Sequence, residues 1–206
     1  MSSAHDLDDD AALAAWREGD RAAGQLLFTR YYQPVARFFI NKVGEASPDL
    51  IQRTFLACVE GKDKFRGEGS FRSFLFGIAY RQLRRHFEAR ARDRIDFGSR
   101  SVHDLDPNAS VLLAALEQQQ LLLAALRRIP LELQVVLELF YWEDMRAQDC
   151  AEILEIPIGT AKSRLRRARE QLEQALSELD GSPDVLHDTR TRLDDWALQL
   201  RAQLGR

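Results

Sequence analysis

The stretch Ala147–Leu176 constrains the fold most, because it reads as a short helix, a tight turn and a longer basic helix. In the longer segment, apolar residues recur at spacings of three and four: Ala161, Leu165, Ala168, Leu172 and Leu176. This spacing predicts a helix with one buried stripe. From Gly159 to Arg169 the chain has five basic residues and no acid. A helix that is apolar on one side and basic on the other is typical of a helix-turn-helix, whose second helix enters the DNA major groove.

The rest of the chain also favours helices, and we predict an all-α protein. β-Branched alternation is weak, and the chain has no Asn-Gly hairpin signal. Amphipathic spacing predicts further helices at residues 8–18, 20–43, 47–61, 71–92, 111–128, 131–141 and 188–204. Since Ser47 precedes Pro48, we expect Ser47 to cap the third of these helices with Pro48 in its first turn.

A polar segment divides the chain into two domains. Residues 93–110 contain Gly and Pro and carry more acid than base, which predicts a flexible linker. We expect one helical domain over residues 1–92, a helix-turn-helix domain over 111–176 and a helical extension over 177–206. The extension either packs on the second domain through Leu193, Trp196 and Leu200, or masks basic residues with its acidic outer face.

Positive charge is concentrated in two segments, although the net charge is −3. Residues 81–94 carry six arginines against Glu88 and Asp93, and residues 159–169 form the second segment. Two basic segments in an acidic protein predict two separate DNA contacts. Phe74 and Phe76 precede the first segment. Aromatic rings beside arginines suit single-stranded DNA, but the same spacing also fits a buried core.

The composition disfavours several classes of protein. We recognise no secretory signal, membrane span or lipidation motif, and we expect a cytoplasmic location away from membranes. Cys58 and Cys150 stand among apolar residues, which predicts buried free thiols. The histidines lack ligand spacing, and no nucleophile–base pair or phosphate loop is recognisable. We therefore expect no metal, no cofactor and no enzymatic activity.

Two motif blocks resemble bacterial RNA polymerase sigma factors of the extracytoplasmic-function type, within the sigma-70 family. Residues 49–85 (DLIQRTFLACVEGKDKFRGEGSFRSFLFGIAYRQLRR) are similar to region 2. Residues 127–172 (RRIPLELQVVLELFYWEDMRAQDCAEILEIPIGTAKSRLRRAREQL) are similar to region 4. The resemblance implies a protein that binds core RNA polymerase and directs initiation at specific promoters. The alternative is a helix-turn-helix regulator that acts without polymerase and uses residues 20–92 for dimerisation or ligand binding.

The resemblance also implies roles for individual residues. In region 2, Arg66 lies in the loop that reads a flipped base of the minus-ten element, and phosphates of the opened strand are held by Arg81, Arg84 and Arg85. In region 4, the minus-thirty-five element is contacted by Thr160, Lys162, Ser163, Arg164, Arg166 and Arg167. The polymerase is bound by Asp49, Gln52, Arg53 and Phe55.

Three positions outside the polymerase-binding helix depart from the family pattern. Glu155 stands where the helix-turn-helix turn commonly has Gly, which predicts a strained residue with positive φ. Phe74 lies where the family usually has Trp, and Arg81 where it usually has Asn. The last two changes are expected to alter how the promoter is melted.

The polymerase-binding helix departs most from the pattern. Of its usual acids only Asp49 remains, and Arg53 reverses the sign of a charge that faces a basic surface. We predict that phosphorylation of Thr54 by a Ser/Thr kinase restores the negative charge, with Ser47 as a second candidate acceptor. Alternatively, Arg53 pairs with a neighbour such as Glu45 and the interface is merely shifted. The sequence allows an anti-sigma factor as a partner but does not imply one.

Overall fold

The computed structural model describes residues 7–65, 69–96 and 117–180, and the secondary structure in these ranges is helical. The chain divides into two compact units between residues 99 and 100. The predicted all-α fold is thereby confirmed. Helix α4 continues to Asp96, four residues into the predicted linker 93–110, and the rest of that linker lies outside the described residues. The C-terminal helix predicted at 188–204 and Arg66 also lie outside them.

The first unit contains four α-helices with two short 3-10 turns between them. The helices are α1 (Asp9–Arg17), α2 (Arg21–Val43), α3 (Ser47–Gly61) and α4 (Phe71–Asp96). The 3-10 turns are Gly44–Ala46 and Lys62–Lys64. Helices α1 and α2 begin after Asp8 and Asp20, whose carboxylates accept hydrogen bonds from the backbone N–H groups of Ala11 and Ala22. Such side-chain caps satisfy donors that a helix leaves unpaired at its start.

The core of the first unit is aromatic and aliphatic. Apolar side chains buried in α2, α3 and α4 include Leu27, Tyr31, Val35, Phe38, Phe39, Leu50, Ile51, Phe71, Leu75, Phe76 and Leu83. Phe76 is therefore a core residue, whereas Phe74 is only half-buried. Burial of these apolar side chains supplies the main driving force for folding of the unit.

The described part of the second unit is a four-helix arrangement closed by the long basic helix. Its helices are α5 (Glu117–Arg128), α6 (Leu131–Tyr141), α7 (Ala147–Leu154) and α8 (Ile158–Asp180). Helix α8 packs against all three of the others. The predicted stripe Ala161, Leu165, Ala168, Leu172 and Leu176 is buried, which confirms the predicted amphipathic helix.

Ser47 does not cap α3 as predicted. It is already the first helical residue, and its side chain is buried. Its hydroxyl donates a hydrogen bond to the carbonyl oxygen of Gly44 in the preceding 3-10 turn. The 3-10 turn brings that carbonyl close, so the hydroxyl is used as a donor to the turn and not as an acceptor for the helix.

Candidate nucleic-acid interface

The turn between α7 and α8 has the geometry of a helix-turn-helix. Helix α7 ends at Glu155, which has φ 56° and ψ 43° and is left-handed. The backbone N–H groups of Glu155 and Ile156 donate to the carbonyls of Glu152 and Ala151, at 3.2 and 3.0 Å. This pattern satisfies carbonyls at the end of α7 and redirects the chain into α8. The predicted positive φ at Glu155 is confirmed.

The start of α7 is fixed by Arg146 and Asp149. The Asp149 carboxylate accepts the backbone N–H of Arg146 at 3.0 Å and both arms of its guanidinium at 3.1 and 3.0 Å. These hydrogen bonds hold the pKa of Asp149 below its usual range, because they favour the charged carboxylate. The acid thus orients α7, which packs behind α8.

The basic residues of α8 divide into two groups. Arg164 is half-buried and forms a 2.9 Å ion pair with Glu132 of α6. Arg169 donates a 2.7 Å hydrogen bond to the hydroxyl of Tyr141. These two arginines hold α8 to its neighbours, so the placement of Arg164 favours a structural role over the predicted DNA contact.

The other basic residues of α8 point outward. Lys162 and Arg167 are exposed, and within the described ranges neither has an ion-pair partner. Arg166 is also exposed and forms a 3.3 Å pair with Glu170 one turn later. Ser163 is exposed and donates to the carbonyl oxygen of Thr160 at 2.9 Å. These residues form the outer face of α8.

A cleft opens in the first unit between the end of α3, the turn that follows it and α4. Its volume is about 290 Å³. Apolar groups and cations alternate around it, and it is lined by Ala57, Gly61, Lys64, Phe74, Ile78, Arg81, Gln82 and Arg85. The open cleft offers an aromatic ring, an amide and three cations. Such a site can bind a planar group together with a neighbouring phosphate.

The structure brings two of the three arginines predicted in α4 together. Arg81 and Arg85 are one helical turn apart and both line the cleft. Arg84 lies outside the cleft and pairs with Glu88 at 3.3 Å. Lys64 and Gln82 were missed by the sequence analysis, because only the packing of α3 against α4 reveals that they line the same cleft.

The exposed face of α3 combines charged and polar side chains with apolar ones, and it includes the acid Glu60. Arg53 pairs with Asp49 one turn earlier, with its Nε 3.0 Å from the carboxylate, so the predicted alternative of a paired arginine is correct but the partner is Asp49. Gln52 beside them is exposed. Leu56 and Val59 are 56% and 41% exposed and were missed as candidates for this face.

Phe55 belongs to a row of rings along the same edge of the first unit. It lies 4.8 Å from Phe28 and 6.3 Å from Tyr32 between ring centroids. Phe55 is half-buried, whereas Tyr32 is 51% exposed. Tyr32 on α2 is thus an exposed ring beside Phe55 that the sequence analysis did not name.

The prediction that Thr54 presents a surface hydroxyl is wrong. Thr54 has no exposed surface, and its hydroxyl donates to the carbonyl oxygen of Leu50 at 2.7 Å. Ser47, the second candidate acceptor, is 2% exposed. A kinase needs an exposed hydroxyl in an accessible segment, and neither side chain offers one in this fold.

The two cysteine thiols and one half-buried histidine have pKa values that favour their uncharged forms. Burial raises the pKa of Cys58 to about 12, and burial followed by the nearby Asp149 charge raises the pKa of Cys150 to about 12. Both thiols are free, as predicted. The pKa of His86 is lowered by burial and then by the positive charge of Arg90. Its imidazole is therefore neutral near pH 7.

In the described ranges, no cluster of three or more His, Cys, Asp or Glu side chains could hold a metal ion. In those same ranges, the helices are too short or too polar to cross a membrane.

The helix-turn-helix and the cleft together indicate a class of protein. One unit presents a helix-turn-helix with a cationic outer face, and the other presents a cleft lined by an aromatic ring and cations. The helix-turn-helix is typical of DNA-binding proteins, and the cleft adds a second cationic surface in the other unit.

Comparison with known proteins then gives the family. The chain matches Sigma-70 region 2 over residues 27–93 and Sigma-70, region 4 over residues 119–172. It is 28% identical to the ECF RNA polymerase sigma-E factor of Haemophilus influenzae over 189 residues, 85% of this chain and 99% of the relative. It is 27% identical to the factor of the same name from Escherichia coli K12, over 84% of this chain and 96% of the relative. The chain belongs to the extracytoplasmic-function sigma factors of the sigma-70 family, which direct transcription initiation with RNA polymerase.

Solved structures support the fold. The sigma factor RpoE of Bartonella quintana, in complex with the anti-sigma factor NepR, superposes with a TM-score of 0.62 at 22% identity, over 74% of this chain and 96% of that one. CnrH in complex with the cytosolic domain of CnrY gives a TM-score of 0.58 at 22% identity, over 82% and 97%.

Proposed function

We propose that this sigma factor uses three surfaces during initiation. The outer face of α8 contacts the minus-thirty-five element. The cleft of the first unit takes a nucleotide of the opened minus-ten strand. The exposed face of α3 docks on core polymerase. These steps take place in the cytoplasm, where polymerase and chromosome are found.

The observation that carries the proposal is the placement of several cations on one surface in each unit. Lys162 and Arg167 stand exposed on α8, and Lys64, Arg81 and Arg85 surround the cleft. Phosphate contacts of this kind supply most of the salt-dependent affinity for DNA. Base edges in the major groove are within reach of Thr160, Ser163 and Arg166 on the same helix.

The docking surface of α3 supports a contact with polymerase that is partly apolar. Asp49 is partly neutralised by Arg53, and the neighbouring exposed side chains are Gln52, Leu56, Val59 and Glu60. Charge complementarity contributes mostly to association rate and specificity, so an apolar face still provides affinity. Phosphorylation of Thr54 or Ser47 forms no part of the proposal, since both hydroxyls are buried.

A protein that covers the face of α3 in competition with polymerase is a second candidate partner. One solved structure of similar fold is a complex of the sigma factor RpoE with the anti-sigma factor NepR, and another is a complex of CnrH with the cytosolic domain of CnrY. The exposed apolar side chains Tyr32, Leu56 and Val59 favour such a competitor for this chain.

The test is transcription in vitro with bacterial core RNA polymerase on a library of genomic fragments from the host. The wild-type protein is expected to give transcripts with defined 5′ ends that share upstream sequences. Arg81→Gln and Arg167→Gln are expected to reduce these transcripts, and Arg21→Gln, at an exposed arginine away from the three surfaces, is expected to leave them unchanged. Sequence-specific DNA binding without any transcript would contradict the proposal and favour a regulator that acts without polymerase.

A further inference from the structure

Arg17, the last residue of α1, holds the turn that follows α3. Its Nε and Nη2 donate to the carbonyl oxygen of Lys62 at 2.8 and 2.7 Å, and Nη2 also donates to the carbonyl oxygen of Phe65. The two carbonyls lie on either side of Lys64. The guanidinium group is half-buried, so these contacts are partly shielded from water.

These carbonyls need a donor because they lie where α3 has ended. The last carbonyls of a helix have no partner within it, and only the 3-10 turn Lys62–Lys64 follows. The planar guanidinium can donate in two directions at fixed angles, which a lysine ammonium cannot reproduce. A second contact acts at the same place, since Nζ of Lys62 lies 5.5 Å from the ring centroid of Trp16. The end of α1 therefore fixes the turn from both sides.

The contacts of Arg17 continue to the lining of the cleft. Its guanidinium carbon lies 5.6 Å from the ring centroid of Phe65. The Phe65 ring lies 4.8 Å from that of Phe74, which lines the cleft. Arg17 thus supports two elements of the cleft wall, the backbone that carries Lys64 and the ring of Phe74.

We propose that Arg17 is a positioning residue for the cleft of the first unit, and that it sets the affinity for the opened promoter strand without touching DNA. The inference rests on the proposed function of the cleft. Arg17 precedes residue 27, where the match to Sigma-70 region 2 begins, so the role comes from a residue outside that match. Its mechanism is preorganisation, because a wall held in place before binding has less freedom to lose when the strand arrives.

The experiment uses the full chain in complex with core polymerase. The probes are the nontemplate minus-ten strand of a promoter found by in vitro transcription, and dT12 as a strand without promoter sequence. Binding of Arg17→Gln, Arg17→Lys, Arg81→Gln and the control Arg21→Gln is measured by fluorescence anisotropy at several salt concentrations. Capture of core polymerase by each variant is measured in parallel, because the docking face belongs to the same unit as Arg17.

Arg17→Gln is expected to weaken binding of the minus-ten strand by about tenfold, with a smaller loss for dT12 and polymerase capture unchanged. Arg17→Lys is expected to recover part of the affinity. The slope of log affinity against log salt is expected to stay at the wild-type value for Arg17→Gln and to fall by about 0.7 for Arg81→Gln, which loses one phosphate contact.

Two results would overturn the inference. Wild-type affinity in Arg17→Gln would show that the wall does not need the arginine. A reduced salt slope in Arg17→Gln would show that Arg17 contacts a phosphate directly. If Arg17→Gln misfolds and no longer captures polymerase, the same two criteria, strand affinity and salt slope, are applied to Arg17→Lys instead. Failure of the wild-type complex to bind the minus-ten strand would instead contradict the proposed function of the cleft.

Discussion

Glu155 carries a side chain at a backbone position that favours glycine. Its φ of 56° is left-handed, a conformation that costs a non-glycine residue about 1–2 kcal/mol. Glycine would remove this strain but would lose more entropy on folding. We predict that Glu155→Gly stabilises the second unit by about 0.5–1 kcal/mol. Hydrogen exchange of the slowest amides in α7 and α8 measures this change in the full chain.

The matched control for Glu155→Gly is Glu152→Gly in the same helix. Glu152 is exposed and lies inside α7, where glycine is expected to destabilise by up to about 1 kcal/mol. We therefore expect Glu155→Gly to raise the free energy of unfolding and Glu152→Gly to lower it. Destabilisation by both would show that contacts of the Glu155 side chain outweigh its backbone strain.

Thr54 lies in the core of the first unit, and its variants should respond as core variants. We predict that Thr54→Asp lowers the free energy of unfolding by about 3–5 kcal/mol, because an unpaired carboxylate would replace a buried hydroxyl. Thr54→Val keeps the shape and should change stability by about 1 kcal/mol or less. Urea unfolding followed by circular dichroism compares the two variants. Equal stability of Thr54→Asp and the wild type would indicate an exposed site and reopen phosphorylation.

The burial of Thr54 could have been recognised from the sequence. Leu50, Thr54 and Cys58 are spaced by four residues, so one face of α3 carries all three. The burial of Thr54 was not predicted, because threonine is usually exposed in proteins. The ion pair between Arg53 and Asp49 could also have been predicted, since Asp49 lies one helical turn before Arg53. In both cases helical periodicity was more informative than the polarity of the single residue.

The ion pair on α3 determines how much charge this helix offers to polymerase. Both side chains are largely exposed, so the pair contributes little to folding. We predict that Arg53→Gln strengthens binding of core polymerase by roughly two- to fivefold, because Asp49 becomes available to a basic partner surface and a repulsive charge is lost. Titration of core polymerase with labelled protein at low and physiological salt measures the effect.

The control for Arg53→Gln is Arg146→Gln, which breaks the ion pair between exposed Arg146 and half-buried Asp149 in the second unit. It is expected to leave polymerase affinity unchanged. Weaker binding of polymerase by Arg53→Gln would mean that Arg53 faces an acidic group of the partner, and the basic-surface interpretation of this interface would then be wrong.

Helix α8 has a structural side and an outer side within one basic segment. We predict that Arg167→Gln weakens binding of a minus-thirty-five duplex and lowers the salt slope by about 0.9, as expected for one lost phosphate contact on duplex DNA. Arg164 pairs with Glu132 and is not expected to contact DNA. Arg164→Gln should therefore leave the salt slope unchanged and lower the free energy of unfolding. Anisotropy titrations at several salt concentrations separate the two. A reduced slope in Arg164→Gln would restore Arg164 as a DNA contact.

The division of α8 shows which properties of an element follow from sequence. The buried stripe and the left-handed turn depend on local spacing, and both were predicted correctly. The pairing of Arg164 with Glu132 depends on how α6 packs against α8, which spacing within α8 does not contain. The cleft also depends on packing between elements, since Lys64 and Arg85 come from separate elements and both line it.

At the scale of the whole chain, the proposed function gives each unit its own DNA contact. Arg81 lines the cleft of the first unit, and Arg167 lies on α8 of the second. They belong to different compact units of the chain. Energetic effects at independent sites usually add within about 0.3–0.5 kcal/mol.

We therefore predict additivity for Arg81→Gln and Arg167→Gln in the complex with core polymerase. The free-energy losses for promoter binding should sum in the double variant to within about 0.5 kcal/mol. On a template that is already open at the minus-ten element, Arg167→Gln should keep its full effect, because it contacts only the upstream duplex. The measurement is the concentration of holoenzyme that gives half-maximal transcript on closed and pre-opened templates. A double variant no weaker than either single one would mean that one contact forms only after the other, so that upstream binding and strand capture are a single coupled step.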